Sequence, residues 1–227
     1  MSVEPSVGRR PGRRDEILAS FTRHVAQDGY DGANFAMVAN ELGMSKGTIV
    51  HHYGTKDRLL AALHESYMRK RLAEARLIVE RLRNPAQQLA GMLFAFVMYQ
   101  VHDRDATIAF QREISRISGE EGIRLRDEYL ELVRDVLRRG IESGQFRDGD
   151  VNVRSLLTFG CSQWAWTWFQ PDGRLSVEEV GSAFVDLVLG GLLVRRTELA
   201  KLADVDGPTL RAVRDCLAAV DGTLADA

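Results

Sequence analysis

Along the first sixty residues the apolar positions fall at helical spacing in three short bursts. Ile17, Leu18, Phe21 and Val25 predict one amphipathic helix from Arg14 to about Asp28, and Gly29 stands where a helix end needs a left-handed residue. Asn34 caps a much shorter helix whose apolar positions are Phe35, Val38, Ala39 and Leu42, closed by Gly43. Ser45 then caps a third, Lys46 to about Tyr53. Two short helices joined by a Gly-containing turn form a helix-turn-helix, a unit whose second helix can enter a major groove. The pattern continues in the same period. Thr55 caps a helix from Lys56 through Leu60, Leu63, Tyr67 and Leu72 to near Arg83, and Asn84-Pro85 with Gln87 opens another to about His102. Ser118 with Glu121 and Ser176 with Glu179 repeat the Ser-x-x-Glu start signal, and Asp150 or Asn152 opens a helix holding Leu156, Phe159, Cys161, Trp164 and Trp168. Asp206-Gly207-Pro208 starts a terminal helix with Leu210, Val213, Leu217 and Val220 as its stripe. No alternating run is long enough for a strand, so the expected class is all-α: a three-helix head followed by a helical bundle.

Composition narrows this picture. With 227 residues and 45% hydrophobic positions the chain can bury a real core. The longest apolar run, Leu89 to Val101, falls short of the roughly 20 residues a membrane span needs. The expected setting is the cytoplasm, with no membrane partner, and the two cysteines, Cys161 and Cys216, read as buried thiols. The net charge of -2 gives no bulk attraction to nucleic acid. Any DNA contact must be local, because Met1 to Leu60 holds 8 basic against 7 acidic residues. The local excess lies in residues 1–12, a Gly- and Pro-punctuated basic arm, and in Arg13 and Arg14 beside it.

On the third helix Lys46, Thr48 and His51 share the outward side while Ile49 and Tyr53 point back. Gly47 removes a side chain near the helix start, where backbone amides favour an anion. The candidate DNA-contacting set is therefore Arg13, Arg14, Asn34, Ser45, Lys46, Gly47, Thr48, His51, Tyr53 and Lys56. These residues carry a resemblance. Gly29-Tyr30-Asp31, Val38-Ala39, Leu42-Gly43-Met44-Ser45-Lys46-Gly47-Thr48-Ile49, His51-His52-Tyr53 and Lys56 with Leu59 resemble the N-terminal signature of tetracycline-repressor-type (TetR family) transcription regulators. The likeness spans about Arg13 to Leu60, with Val50 where the family usually has Tyr and with Ala36 and Met37 at positions commonly polar. It implies a DNA-binding head at 13–58 and a dimerising, effector-binding helical body at 59–195, leaving 196–227 as an extension with an extra helix.

Within the body, Leu89 to Val101 is apolar all round, as a central helix must be. Large residues alternate there with Gly91 and Ala95, and polar groups follow, a combination that suits either plain core or a small-molecule cavity. The cavity reading puts Phe94, Met98, Phe110, Trp164 and Trp168 against a bulky apolar effector, with His102, Arg112 or Arg116 at its polar end. A weaker resemblance, through Glu142 to Phe146, Trp164 to Trp168 and Pro171 to Ser176, is to members that control fatty-acid or steroid breakdown and implies an acyl-CoA thioester. Gly181, Ser182, Ala183, Gly190 and Gly191, among bulky apolar residues, suit close packing in a two-fold interface with the Leu156 to Trp168 helix, hence a homodimer reading an inverted-repeat operator in double-stranded DNA. The helix from Lys56 would carry effector binding to the head. Nucleotide-binding, nucleophile-elbow and zinc-protease motifs do not occur, and the adjacent His51 and His52 point about 100° apart and cannot share a metal, so neither an enzyme nor a cofactor or metal is expected. The alternative is a DNA-binding or scaffold protein without an effector.

Overall fold

The structure is a computed structural model and describes residues 12–116, 119–162 and 165–221. Helices α1 (Arg13–Gly32), α2 (Phe35–Leu42) and α3 (Lys46–Tyr53) form the head. The body is built from α4 (Lys56–Arg81), α5 (Pro85–His102), α6 (Arg104–Arg112), a 3-10 turn Ile114–Arg116, α7 (Glu120–Glu142), α8 (Val151–Ser162), α9 (Ala165–Trp168) and α10 (Val177–Leu192). A further 3-10 turn Arg196–Glu198, α11 (Leu199–Leu202) and α12 (Pro208–Asp221) complete it. Among the described residues the only β feature is one isolated bridge, Phe146 with Leu193.

Most helix starts are made by the side chains that the pattern nominates. Asn34 Oδ1 accepts from the amides of Ala36 and Met37, Ser45 Oγ from Thr48, Thr55 Oγ1 from Arg58, and Ser176 Oγ from Glu179, whose own carboxylate takes the Ser176 amide at 2.7 Å. Asp150 rather than Asn152 caps α8, accepting from the Val153 amide at 2.8 Å. Other ends fall elsewhere than expected. The first helix is not simply ended by Gly29: the chain turns there at φ 73° and then makes one more helical turn to Gly32. Helix α4 stops at Arg81, short of Arg83, where Gln88 Nε2 donates to the carbonyls of Val79 and Leu82 and the extended Asn84 precedes Pro85. Gln87 accepts from the Arg83 amide instead of closing a box on Asn84. Ser118 lies outside the described residues, and the start of α7 is Gly119, with no side-chain cap. The helix expected through Trp168 is seen in two described stretches, α8 and α9, with residues 163–164, Trp164 among them, outside the described residues. Of the two cysteines expected to be buried, Cys216 is buried and Cys161 is exposed on α8.

Two cores result. Ile17, Phe21, Val25, Val38, Ile49, Tyr53, Leu59 and Leu63 pack with Ala109 of α6 in the first, so α4 and α6 both reach into the head. In the second, α5 is enclosed on every side, which is why it carries no polar face. Its packing is close: a Cβ on Gly181 of α10 would stand 2.7 Å from the Phe94 ring. The extra helix expected near the C-terminus is α12. Val213 meets α4 and α5 near Gly91, Lys70 Nζ reaches Asp221 at 2.7 Å, and Arg214 pairs with Glu178 of α10 at 2.8 Å.

His64, on α4 where the two cores meet, is almost fully buried, its ring set edge-on to Phe110 and its Nε2 without a partner among the described residues. Burial lowers its pKa from 6.5 to about 4. An unfolded chain takes up this proton first as pH falls, so the fold loses stability from pH 6.5 down through about 4. Replacing His64 by Leu is expected to make unfolding free energy, read by urea titration, fall less steeply across that window; an unchanged slope would assign the acid sensitivity elsewhere.

Candidate nucleic-acid interface and effector cavity

Helix α3 presents its polar side outward. Lys46, Gly47 and His51 are exposed and Thr48 half-buried, whereas Ile49 is fully buried. A Cβ on Gly47 would meet nothing closer than Ser45 Oγ at 3.5 Å, so no contact among the described residues demands glycine at this exposed position. Ser45 Oγ lies 3.0 Å from Thr48 Oγ1 as well as capping the helix. Asn34 spends its carboxamide oxygen on the start of α2.

Tyr53 is not a free outer group. Its ring is buried, its hydroxyl donates to the Arg14 carbonyl at 2.9 Å, and the Arg14 guanidinium lies 5.1 Å above it. Lys56 likewise leans on the head, with Nζ 4.2 Å from the Tyr30 ring centre and 3.5 Å from the Asp31 carbonyl. Tyr30 in turn bonds Asp57, and burial together with that bond raises its pKa to about 12. Arg13 pairs loosely with Glu16 at 3.7 Å. The rest of the expected basic arm, residues 1–11, lies outside the described residues.

Behind the head, α4, α5, α6, α7 and α8 enclose a cavity of about 270 Å³. Its walls are mostly aromatic: Phe96, Tyr129 and Phe159 meet edge to face with ring centres 5.2 to 6.3 Å apart, and Tyr67 stacks on Phe110 at 4.4 Å. Arg71 stands in this wall between Tyr99, 3.8 Å away, and Tyr67, 5.0 Å away. Its Nη2 donates to Asp103 at 2.9 Å and its Nε lies 3.0 Å from Glu74. Burial opposes the Arg71 charge, but Tyr99, Tyr67, Glu74 and Asp103 outweigh it and the pKa stands above its ordinary value; burial lifts Glu74 to about 7. Arg126, exposed at the edge of the cavity, has no partner among the described residues.

Of the effector contacts expected from sequence, only Phe110 among the described residues stands in this wall. Phe94 and Met98 are fully buried on other sides of α5; an all-apolar helix gives no periodic cue to its face, and Phe96 and Tyr99 line the cavity instead. His102 is exposed at the end of α5, and Trp168 is 58% exposed beside Phe169. Arg112 and Arg116 turn away to the head. Arg112 Nη1 donates to the carbonyls of Ala26 and Gln27, and Arg116 pairs with Asp31 at 2.8 Å and Glu113 at 3.0 Å. Tyr67, Arg71, Tyr99, Tyr129 and Phe159 were not anticipated as lining, although a charged Arg71 inside the apolar stripe of α4 was a readable signal.

Glu113 completes the joint by accepting the Tyr30 amide at 2.9 Å. Arg112→Ala removes the donor from two carbonyls near the end of α1 and is expected to cost about 1–2 kcal/mol, measured by urea unfolding, with faster hydrogen exchange in residues 26–32. Unchanged exchange there would show that the joint does not depend on Arg112.

The same architecture is found in known proteins. Residues 17–63 match the family described as bacterial regulatory proteins, tetR family, and residues 82–192 the tetracyclin repressor-like C-terminal domain. The chain is 31% identical over 160 residues to the HTH-type transcriptional repressor AcnR of Corynebacterium glutamicum, covering 70% of this chain and 81% of that one. It is 26% identical over 190 residues to the HTH-type transcriptional repressor KstR2 of Mycobacterium tuberculosis, covering 82% and 95%. The structure of that ketosteroid transcriptional regulator superposes with a TM-score of 0.72 over 84% of this chain and 100% of that one. AibR, solved in complex with isovaleryl coenzyme A and operator DNA, shares the fold with a TM-score of 0.69 at 22% identity, over 78% and 97%. The chain belongs to the TetR family of DNA-binding transcription regulators.

Proposed function

We propose that the protein is a cytoplasmic, homodimeric repressor that binds an inverted-repeat operator and leaves it when a bulky, largely apolar effector enters the cavity. Residues 13–58 act as the reading head, 59–195 as the sensing and dimerising body, and 196–227 as an extension that braces it. The observation that carries this reading is the junction of an outward polar face on α3 with an aromatic cavity, through two helices, α4 and α6, that belong to both cores. Lys46, Thr48 and His51 meet bases or phosphates, Ser45 and Gly47 bring the helix start to the backbone, and Arg13, Arg14, Asn34 and Lys56 flank it. Tyr53 acts from beneath, holding Arg14. In the cavity Phe96, Phe110, Tyr129 and Phe159 take the apolar body, and Arg126 at the edge takes an anionic end. An acyl-CoA thioester has both parts, and KstR2, named for ketosteroid regulation, extends the apolar class to ring systems. A DNA-binding protein without an effector has no use for such a cavity.

The dimer forms through α8 and α10. Val153, Leu157 and Leu187 are exposed there, the last two at 63% and 70%, an apolar surface that a monomer would leave in water. Leu187→Asp is expected to convert the dimer to monomers in sedimentation velocity and to abolish tight operator binding; a dimer of unchanged strength would move the interface elsewhere.

The central test is selection from random duplex DNA, followed by release. Paired half-sites about one helical turn or a small multiple apart are expected, and single half-sites would overturn the dimeric reading. Adding long-chain acyl-CoA thioesters is expected to weaken operator binding about 5- to 150-fold, a coupling of about 1–3 kcal/mol. Release by the matching free acids alone would remove the coenzyme A portion and keep the cavity.

A further inference from the structure

The polar groups of the cavity wall are uneven in kind. Three of them are more than nine-tenths buried and have a donor unused among the described residues: Arg71 Nη1, the Tyr129 hydroxyl, and the hydroxyl of Tyr99, whose ring is covered by the Arg71 guanidinium. Arg71 can only donate, and a buried donor left unpaired is costly, so an occupant that brings an acceptor to this place recovers energy that a plain hydrocarbon cannot. Gln111, on the α6 side, holds an unpartnered Oε1 and offers an amide that can take or give. Arg71 is already set in position by the rings of Tyr67 and Tyr99 and by Glu74 and Asp103. On α7 the buried Tyr129 lies one turn from the exposed Arg126, so the cavity has a cation at its exposed edge and buried donors within it.

We propose that the buried donors of the cavity select effectors carrying a neutral oxygen acceptor, a ketone or ester carbonyl, on the part that enters first, with Tyr129 and Arg71 as the groups that receive it. This rests on the reading of the cavity as the effector site. The acceptor is neutral because the Arg71 charge is already balanced by Glu74 and Asp103, and a further carboxylate would be buried without a counter-charge of its own. Burial raises the Tyr129 pKa, which keeps the phenol protonated and able to donate.

The test uses the octanoyl, decanoyl and dodecanoyl thioesters of coenzyme A, each beside its analogue with a ketone on the penultimate carbon, titrated calorimetrically into the full-length protein. At the chain length that spans the cavity the ketone is expected to bind about tenfold more tightly than its parent. Tyr129→Phe, which removes a hydroxyl that bonds nothing among the described residues and leaves the ring contacts, is expected to bring that ratio to about one, with an unfolding midpoint that shows the fold intact. Equal binding of ketone and parent at every length, or a preference that survives Tyr129→Phe, overturns this proposal alone. Failure of every probe to bind overturns the cavity reading and this proposal with it.

Discussion

Arg112 reaches from the end of α6 to the carbonyls of Ala26 and Gln27 near the end of α1, and on that contact the relation of head to body depends. Helix α1 turns at Gly29, so its main run ends with carbonyls that have no successor amide. A guanidinium supplies the missing donors and brings positive charge to the negative end of the helix dipole. Glu113 takes the Tyr30 amide just beyond, and Arg116 holds Asp31. Two carbonyls, one backbone amide and one carboxylate of the head are thereby fixed to one short stretch of the body. Ile108 and Ala109 pack into the head core on the same stretch, so the joint is apolar inside and ionic at its surface.

That stretch has a second face. Phe110, Gln111 and Ile114 stand in the cavity wall, interleaved in sequence with the residues that hold α1. A helix is stiff across so short a span, and interiors packed at crystal density do not absorb an intruding group without moving something. Phe110 and Ile114 are therefore tied by one rigid stretch to Arg112 and Glu113, and α4, with Tyr67 and Arg71 in the cavity and Leu59 and Leu63 in the head core, ties the same two regions a second time. The joint and the cavity share their parts, and no flexible linker separates them.

The C-terminal segment stiffens the other side. Lys70 bridges Asp103 and Asp221, and Arg71 beside it holds Glu74 and Asp103, so the α5 to α6 turn, α4 and α12 meet in one charge network. Buried charges of this kind add little net stability, but removing one member leaves the others unpaired, which makes their arrangement specific. Asp103 is the residue that connects this network to the start of α6.

Local signals in the sequence determined the helices and their ends. Asn34, Ser45, Thr55, Asn84 and Ser176 act on amides two or three residues away, an interaction that needs no tertiary partner, and each caps the helix it was expected to cap. The outward side of α3 was legible for the same reason, since Ile49 and Tyr53 mark its inner face by spacing alone. The lining of the cavity was not. Phe94, Met98, Phe96 and Tyr99 all lie on a helix without a polar side, so their directions depended on where α7, α8 and α10 came to rest. Arg112 and Arg116 had the chemistry of an effector's counter-ions, yet the fold brought the end of α1, more than eighty residues earlier in the chain, within their reach. Sequence fixes which groups a helix carries and where it stops, because those follow from neighbours along the chain; which of them face a cavity and which clamp a distant helix end is decided by long-range packing.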